Sequence, residues 1–381
     1  MKIKSFILLA AFLIISSESF SQKTQMKVAQ NAVGKLQAAI ASGQDKAKQL
    51  SVIGEGIKAT ESAQKDRRTK NWPETWAIKA YLSSYVALLD ENEGNSEKYY
   101  NMAVEALNTA KELDRFQNNT SLIEAASYNI ILKKQNKASK AYLNNDFKNA
   151  FALLKEVSDF FPVDTTLAIN TGLSAKNVGD LNAALDYFKR ALENGAKNPT
   201  LFQSVATIYT SKFENEMAIS TLERGMELNP NNAFLNNNYI NLLIDNEKYN
   251  KAIKAIEKTL PIESKNKLLY FLYGYLNQQH ARNSTAELAY KKALEVDANY
   301  FDALYQLGLA YIDIANTALK SSDSTHTQTF NSYINRAEFT LLQANEINPN
   351  DRNTVQLLTE IYARKNKFDK VQELKRKLEE F

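Results

Sequence analysis

The sequence predicts an all-α protein, an α-solenoid of antiparallel helix pairs wound as a right-handed superhelix. Three observations carry that expectation. Four blocks of 34 residues follow one another from Thr165 to Tyr300 without a gap, and a period of that length marks stacked two-helix units. Each block places an alanine at its twentieth position (Ala184, Ala218, Ala252, Ala286) and a bulky apolar residue four further on (Phe188, Leu222, Ile256, Tyr290). Another apolar residue follows after four more (Leu192, Met226, Leu260, Leu294), and an i, i+4, i+8 stripe is one face of a helix. Finally, eleven Gly and six Pro are too few for a linker-rich chain, and 44% hydrophobic residues are too many for disorder.

The eighth position of each block holds Gly172, Ala206, Ile240 or Gly274. A small side chain there lets two antiparallel helices approach closely, and the expectation is that it faces the small residue of the second helix. Together with the period, this pattern resembles the tetratricopeptide repeat family. The block Pro199 to Asn232 matches best, with Phe202, Val205, Ala206, Tyr209, Ala218, Leu222 and Pro230 in register and an Asn229-Pro230-Asn231-Asn232 turn at its end. Departures are local: Ile240 replaces a small residue, Thr259 the usual alanine, and one block of the four has the terminal proline.

Taken in order, residues 1–21 read as an export signal. Lys2 and Lys4 give a basic start, Phe6 to Ile15 an apolar run, and Ser19 and Ser21 the small residues before a cleavage expected between Ser21 and Gln22. The run is too short to span a bilayer, so the mature chain is expected to hold no transmembrane segment and to be periplasmic or secreted. There is no cysteine, hence no disulfide and no lipid attached to an N-terminal cysteine.

Residues 22–70 contain two helical patterns, Met26 to Ala41 and Lys46 to Ala63, broken at Ser42-Gly43. They read as an N-terminal cap or a degenerate repeat. Residues 71–130 read as a stretched repeat. Its first helix starts at Asn71-Trp72-Pro73, with Asn71 as the expected cap and Trp76, Ala80, Tyr85 and Leu88 or Leu89 as its apolar side. After a polar turn from Glu91 to Ser96, Ala103, Leu107 and Ala110 mark the second helix.

Residues 131–381 read as the main array. After Tyr300 the second-helix residues Ala337, Leu341 and Ala344 arrive late, which implies an insertion near 317–333 between two lengthened helices. Residues 352–381 supply a last pair, with Tyr362 and Phe368 in register and a charged end suited to a capping helix.

Chemistry is sparse. The two histidines, His280 and His326, lie in no ligand spacing, and no phosphate loop or nucleophile elbow occurs. The expectation is no enzyme, no metal and no cofactor. A net charge of +4 without a long basic stripe argues against nucleic acid.

What the resemblance implies is a groove lined by the first helices that takes a protein or an extended peptide. The trio of positions with which some family members clamp a chaperone's terminal carboxylate is missing here. The early groove (Thr200, Gln203, Thr207, Thr210, Ser211) is polar, and the later groove is amide and aromatic. The candidate partner-binding residues are Phe234, Asn237, Asn241, Phe271, Tyr275 and Tyr305. Two roles fit them: anchors for a partner, or packing between repeats. At the sixth position, Asn170 and Asn238 start an asparagine ladder that Ser204, Leu272 and Gln306 interrupt. The leading functional expectation is an exported, non-enzymatic scaffold in envelope assembly or secretion. The alternative is an outer-membrane-associated glycan-binding protein with similar helices.

Overall fold

A computed structural model describes residues 24–320 and 325–380. The leader, its cleavage site and loop positions 321–324 lie outside the described residues. The described residues form two compact units, and the chain divides between Ala196 and Lys197. The first unit holds α1 (24–41), α2 (Lys46–Lys65), α3 (Pro73–Leu89), α4 (Glu93–Leu113), α5 (Thr120–Leu143), α6 (Phe147–Phe160), α7 (Thr165–Asn177) and α8 (Leu181–Glu193). The second holds α9 (Pro199–Ser211), α10 (Asn215–Leu228), α11 (Ala233–Asp245), α12 (Tyr249–Thr259), α13 (Lys267–Gln279) and α14 (Asn283–Val296). It continues with α15 (Phe301–Leu319), α16 (His326–Ile347), α17 (Arg352–Arg364) and α18 (Phe368–Glu379). Among the described residues there is no strand. From α3 on, within each unit, each odd helix packs on the even helix that follows it, and each even helix on the next odd one. Each unit is therefore a run of α-solenoid.

The period has a local cause. The first residue of each exact block, Thr165, Pro199, Ala233 or Lys267, is also the first of a helix, so the last residue of the preceding block is its cap. Asp164 accepts from Leu167 N at 2.9 Å and Asn232 from Leu235 N at 3.0 Å, satisfying amides that have no partner inside the helix. Before α9, Asn198 makes no such bond, and Pro199 starts the helix with one orphan amide fewer.

Every alanine at the twentieth position is fully buried, as are Phe188, Leu222, Ile256 and Tyr290, none more than 1% exposed. The small eighth position works differently from the expectation. A Cβ at Gly172 would lie 2.5 Å from the Phe188 ring, and one at Gly274 2.7 Å from the Tyr290 ring. The small residue of the first helix thus receives the large residue of the second, a hole filled by a knob, and at Gly172 it also lies against Ala184, whose carbonyl oxygen would be 3.2 Å from a Cβ there.

Other expectations need correction. Trp72, not Asn71, is the N-cap of α3, with Pro73 in its first turn. The buried side of α3 is Ala77, Ile78, Ala80, Tyr81, Leu82, Val86 and Ala87, so the helix is enclosed almost all round and Trp76 and Tyr85 are only half-buried. The turn after it is shorter than expected because α4 already begins at Glu93; Ser96, inside α4, is 1% exposed and donates to Ala87 O. A boundary at 130/131 would cut α5, which runs unbroken from Thr120 to Leu143. Residues 22–70 contribute a helix pair, α1 and α2, whose Met26, Leu36, Ile53 and Ile57 join the core of α3. Near 317–333, α15 and α16 are the lengthened helices, 19 and 22 residues long. Tyr362 is buried, but Phe368 is 63% exposed at the start of α18, which buries Val371 alone.

Candidate interaction face on α11, α13 and α15

The six candidate residues sit on three successive first helices of the second unit, and the structure treats them unequally. Phe271 and Tyr275 are four apart on α13 and their rings stack, 6.3 Å between centroids at 21°. Phe271 is half-buried, held by the Tyr290 ring at 6.0 Å and the Tyr300 ring at 5.5 Å. Tyr275 stays 38% exposed. On α15, Tyr305 is half-buried, stacks on Phe301 at 6.2 Å and packs against the same core cluster as Phe271. Phe271 and Tyr305 therefore pack between repeats, and Tyr275, stacked on Phe271, is the ring left open to solvent.

The α11 residues differ. Phe234 is 50% exposed. Asn237 is engaged, its amide donating to Glu263 at 3.2 Å, and Asn266 donates to the same carboxylate at 2.8 Å. Asn241 is exposed and makes no side-chain hydrogen bond among the described residues. The asparagine ladder loses Asn238, which donates back to Phe234 O at 2.7 Å. Early in the groove, Ser204, Thr210 and Ser211 likewise donate to carbonyls of their own helix. Those hydroxyls have no donor left for a partner.

Sequence reading missed Tyr300 and Glu263 at this face. Both lie in turns between blocks, where the 34-residue pattern says nothing of direction. On α13 itself, Tyr270 and Tyr273 are half-exposed and the buried residues are Leu269, Gly274, Leu276 and Asn277. Tyr273 instead donates to Glu257 at 2.8 Å.

The rings of the face carry no charge. Burial pushes the Tyr300 and Tyr305 phenols up, helped by Asp302 and Asp297 for the first and by Asp351 for the second. These groups stay protonated near neutral pH and offer rings and O–H donors rather than charge. Lys267 lies 4.8 Å over the Tyr300 ring and pairs with Asp297 at 2.6 Å, so its charge is already used.

Elsewhere one arrangement places a base beside a hydroxyl. In the first unit, Lys133 Nζ donates to Ser96 Oγ at 2.5 Å, and burial followed by the nearby Lys140 lowers the lysine pKa. A base beside a hydroxyl is the geometry of an activated nucleophile. Here the hydroxyl is 1% exposed and already donates to Ala87 O, so no substrate reaches it. Among the described residues no group of three or more His, Asp and Glu could hold a metal ion. His280 caps the end of α13 with its ring 6.4 Å from Tyr249, and His326 opens α16. No described helix is long and apolar enough to cross a membrane.

Comparison with known proteins agrees with the helix-pair geometry. The tetratricopeptide repeat family's sequence profile matches residues 161–274. A photosystem I assembly protein Ycf3 of Synechococcus sp. (strain CC9605) is 41% identical over 63 residues, 16% of this chain and 36% of that protein. The Ycf3 of Prochlorococcus marinus (strain MIT 9215) is 28% identical over 157 residues, 40% of this chain and 73% of that protein. The chain thus spans about a third of the first relative's length and most of the second's. Among solved structures, a MamA protein aligns at 19% identity over 48% of this chain and 90% of its own, with a TM-score of 0.41. YrrB, described as a repeat protein with an unusual peptide-binding site, aligns at 18% over 53% of this chain and 96% of its own, with a TM-score of 0.40.

Proposed function

We propose that this chain is a tetratricopeptide repeat scaffold for protein interaction, that it is exported, and that it takes an extended peptide on the face of α11, α13 and α15. The observation that supports this site is the stacked pair on α13. Phe271 is fixed by Tyr290 and Tyr300, and it holds Tyr275 rigid and open to solvent. A pre-ordered aromatic loses little entropy on binding, which is why such rings anchor interfaces. Asn241 lies one repeat back with its amide free to pair with a peptide group.

Export follows from residues 1–21, with their basic start, apolar run and small residues before Gln22. The cyanobacterial relatives carry the name of assembly proteins. A scaffold that holds components while an envelope assembly or secretion machine is built fits both features. The chain acts without catalysis in this reading, by presenting a surface.

Crosslinked affinity capture from the envelope fraction tests site and compartment together. The recovered bait is expected to begin at Gln22, and Tyr275→Ala is expected to lose the partner at a cost of about 1–2 kcal/mol or more. Because Tyr275 is not part of the core, its variant should melt like the parent. Phe271→Ala is the weaker probe, since it also removes packing on Tyr290 and Tyr300. Retained capture by Tyr275→Ala, with loss on changing Thr207 or Thr210, moves the site to the early groove. A bait that begins at Met1 and stays in the cytosol removes export.

A further inference from the structure

A cleft of the second unit has the composition of a small-molecule site. It opens between α14 and α16, over α15, and measures about 460 Å³, within the range of pockets that take small ligands. None of the six candidate residues of the α11, α13 and α15 face lines it. Its floor is Leu294, Leu304, Leu307 and Tyr311, and its polar edge includes Lys291 and Arg336 but no Asp or Glu.

The register of the repeat singles out the same two helices. Two residues after the buried alanine, the preceding blocks place Asp186, Ser220 and Lys254, whereas α14 has Leu288 and α16 has Phe339. These two are 66% and 65% exposed, an arrangement that water disfavours. Each lies three residues from a cation of its own helix, Leu288 from Lys291 and Phe339 from Arg336, and shares a face with it. The helices that flank the cleft thus each offer one apolar and one positive side chain.

The lengthened helix fixes the second cation. Ala286 is the fourth residue of α14, but Ala337 is the twelfth of α16, so Arg336 stands well inside its helix instead of in the first turn. Its guanidinium lies 4.9 Å over the Tyr333 ring and 3.7 Å from the Glu287 carboxylate, too far for a hydrogen bond. Glu287 is held instead by Lys291 at 2.5 Å and by the Tyr311 hydroxyl at 3.3 Å. One carboxylate between two cations leaves a net positive charge, and Arg336, half of whose side chain is exposed, is the group with donors to spare.

We propose that this cleft binds an anionic amphiphile, with one acyl chain laid on Leu294, Leu304 and Leu307 and a carboxylate or phosphate head against Arg336. Covering the floor with methylenes supplies the affinity, and a guanidinium matches either head with paired N–H donors. A nucleic-acid backbone would leave the apolar floor uncovered, and a cationic amphiphile would meet Lys291 and Arg336 with like charge. A free fatty acid and a bilayer lipid share the required chemistry.

The test titrates the full chain with octanoate by calorimetry, below the concentration at which the probe forms micelles. Saturable binding is expected, weakening about threefold for each methylene taken from the probe. Arg336→Gln should weaken octanoate by about tenfold or more and leave octanol unchanged, while Phe339→Ser should weaken both. Both side chains are exposed, so both variants should melt like the parent. Octyltrimethylammonium should not bind, and Tyr275→Ala should bind octanoate as the parent does. Parent chain that sediments with phosphatidylglycerol vesicles, when Arg336→Gln does not, assigns the head to a bilayer lipid; parent chain left in the supernatant assigns it to a free amphiphile. The inference fails if octanoate binding does not saturate, or if octyltrimethylammonium binds equally, which marks unselective apolar contact. It also fails if neither Arg336→Gln nor Phe339→Ser changes the affinity. Loss of octanoate in Tyr275→Ala places the probe on the aromatic face and overturns the cleft, whereas capture of a partner through Tyr275 is a separate measurement that none of these outcomes decides.

Discussion

Glu338 shows how a single residue ties elements of the second unit together. It is on α16, where its side chain is 13% exposed, and it accepts from Lys365 at the end of α17 and from Lys367, at 2.9 Å, at the start of α18. Burial by itself raises the carboxyl, but the hydrogen bonds from both lysines outweigh it and hold the group below its ordinary 4.5. A carboxyl depressed in the folded state stabilises that state fully above its ordinary value, and the contribution is lost as pH falls through the folded value. Melting temperature should therefore drop in the parent as pH falls below about 4.5. Glu338→Gln should start about 1–2 kcal/mol lower near neutral pH, the low figure reflecting half-exposed lysines, and should lose less on acidification. Parallel acid curves for the two proteins would place the sensitivity elsewhere.

At the scale of the helix, the stripe that spaces alanine and bulky apolar residues was readable because burial follows it closely. Ala252 has no exposed surface, and Ile256, four residues on, has none either. Ala252→Leu should therefore overpack α12 against α11 and cost about 1–3 kcal/mol, while Lys254→Leu, on the exposed side, should melt within about 0.5 kcal/mol of the parent. Equal melting of both would mean that the helix is rotated from the assigned register. The direction of packing at the eighth position was less legible. Composition shows that Gly172 and Gly274 are small, but only the neighbouring helix shows that Phe188 and Tyr290 fill the space. α3 misled for a related reason. A helix enclosed on nearly every side has no apolar stripe to separate from a polar one, so Trp76 and Tyr85 looked like its core while Ile78, Tyr81 and Leu82 formed it.

For the molecule as a whole, the repeat made the architecture legible, whereas the interaction face was legible only in part. Repeat positions say which residues leave the core; turns between blocks, which supply Tyr300 and Glu263, obey no period. The same logic fixes how stability is distributed. In a stack each helix pair is held by its neighbours alone, so an element with little buried surface opens first. α18 buries Val371 alone, with Leu374 and Leu378 half-buried, and its remaining residues are mostly charged and exposed. α15, inside the same unit, buries Ala303, Leu304, Leu307, Ala310, Tyr311 and Ala315 and packs on α14 and α16. Amide hydrogen exchange under native conditions should therefore show α18 exchanging at least about a hundredfold faster than α15, since a difference of a few kcal/mol in opening free energy is expected between a sparsely buried helix and a core helix. Glu338→Gln should speed exchange in α17 and α18 by removing the link to Lys365 and Lys367, and leave α11 to α13 unchanged. Uniform exchange across α15 and α18 would show instead that the unit opens all at once, and that stability is shared beyond nearest neighbours.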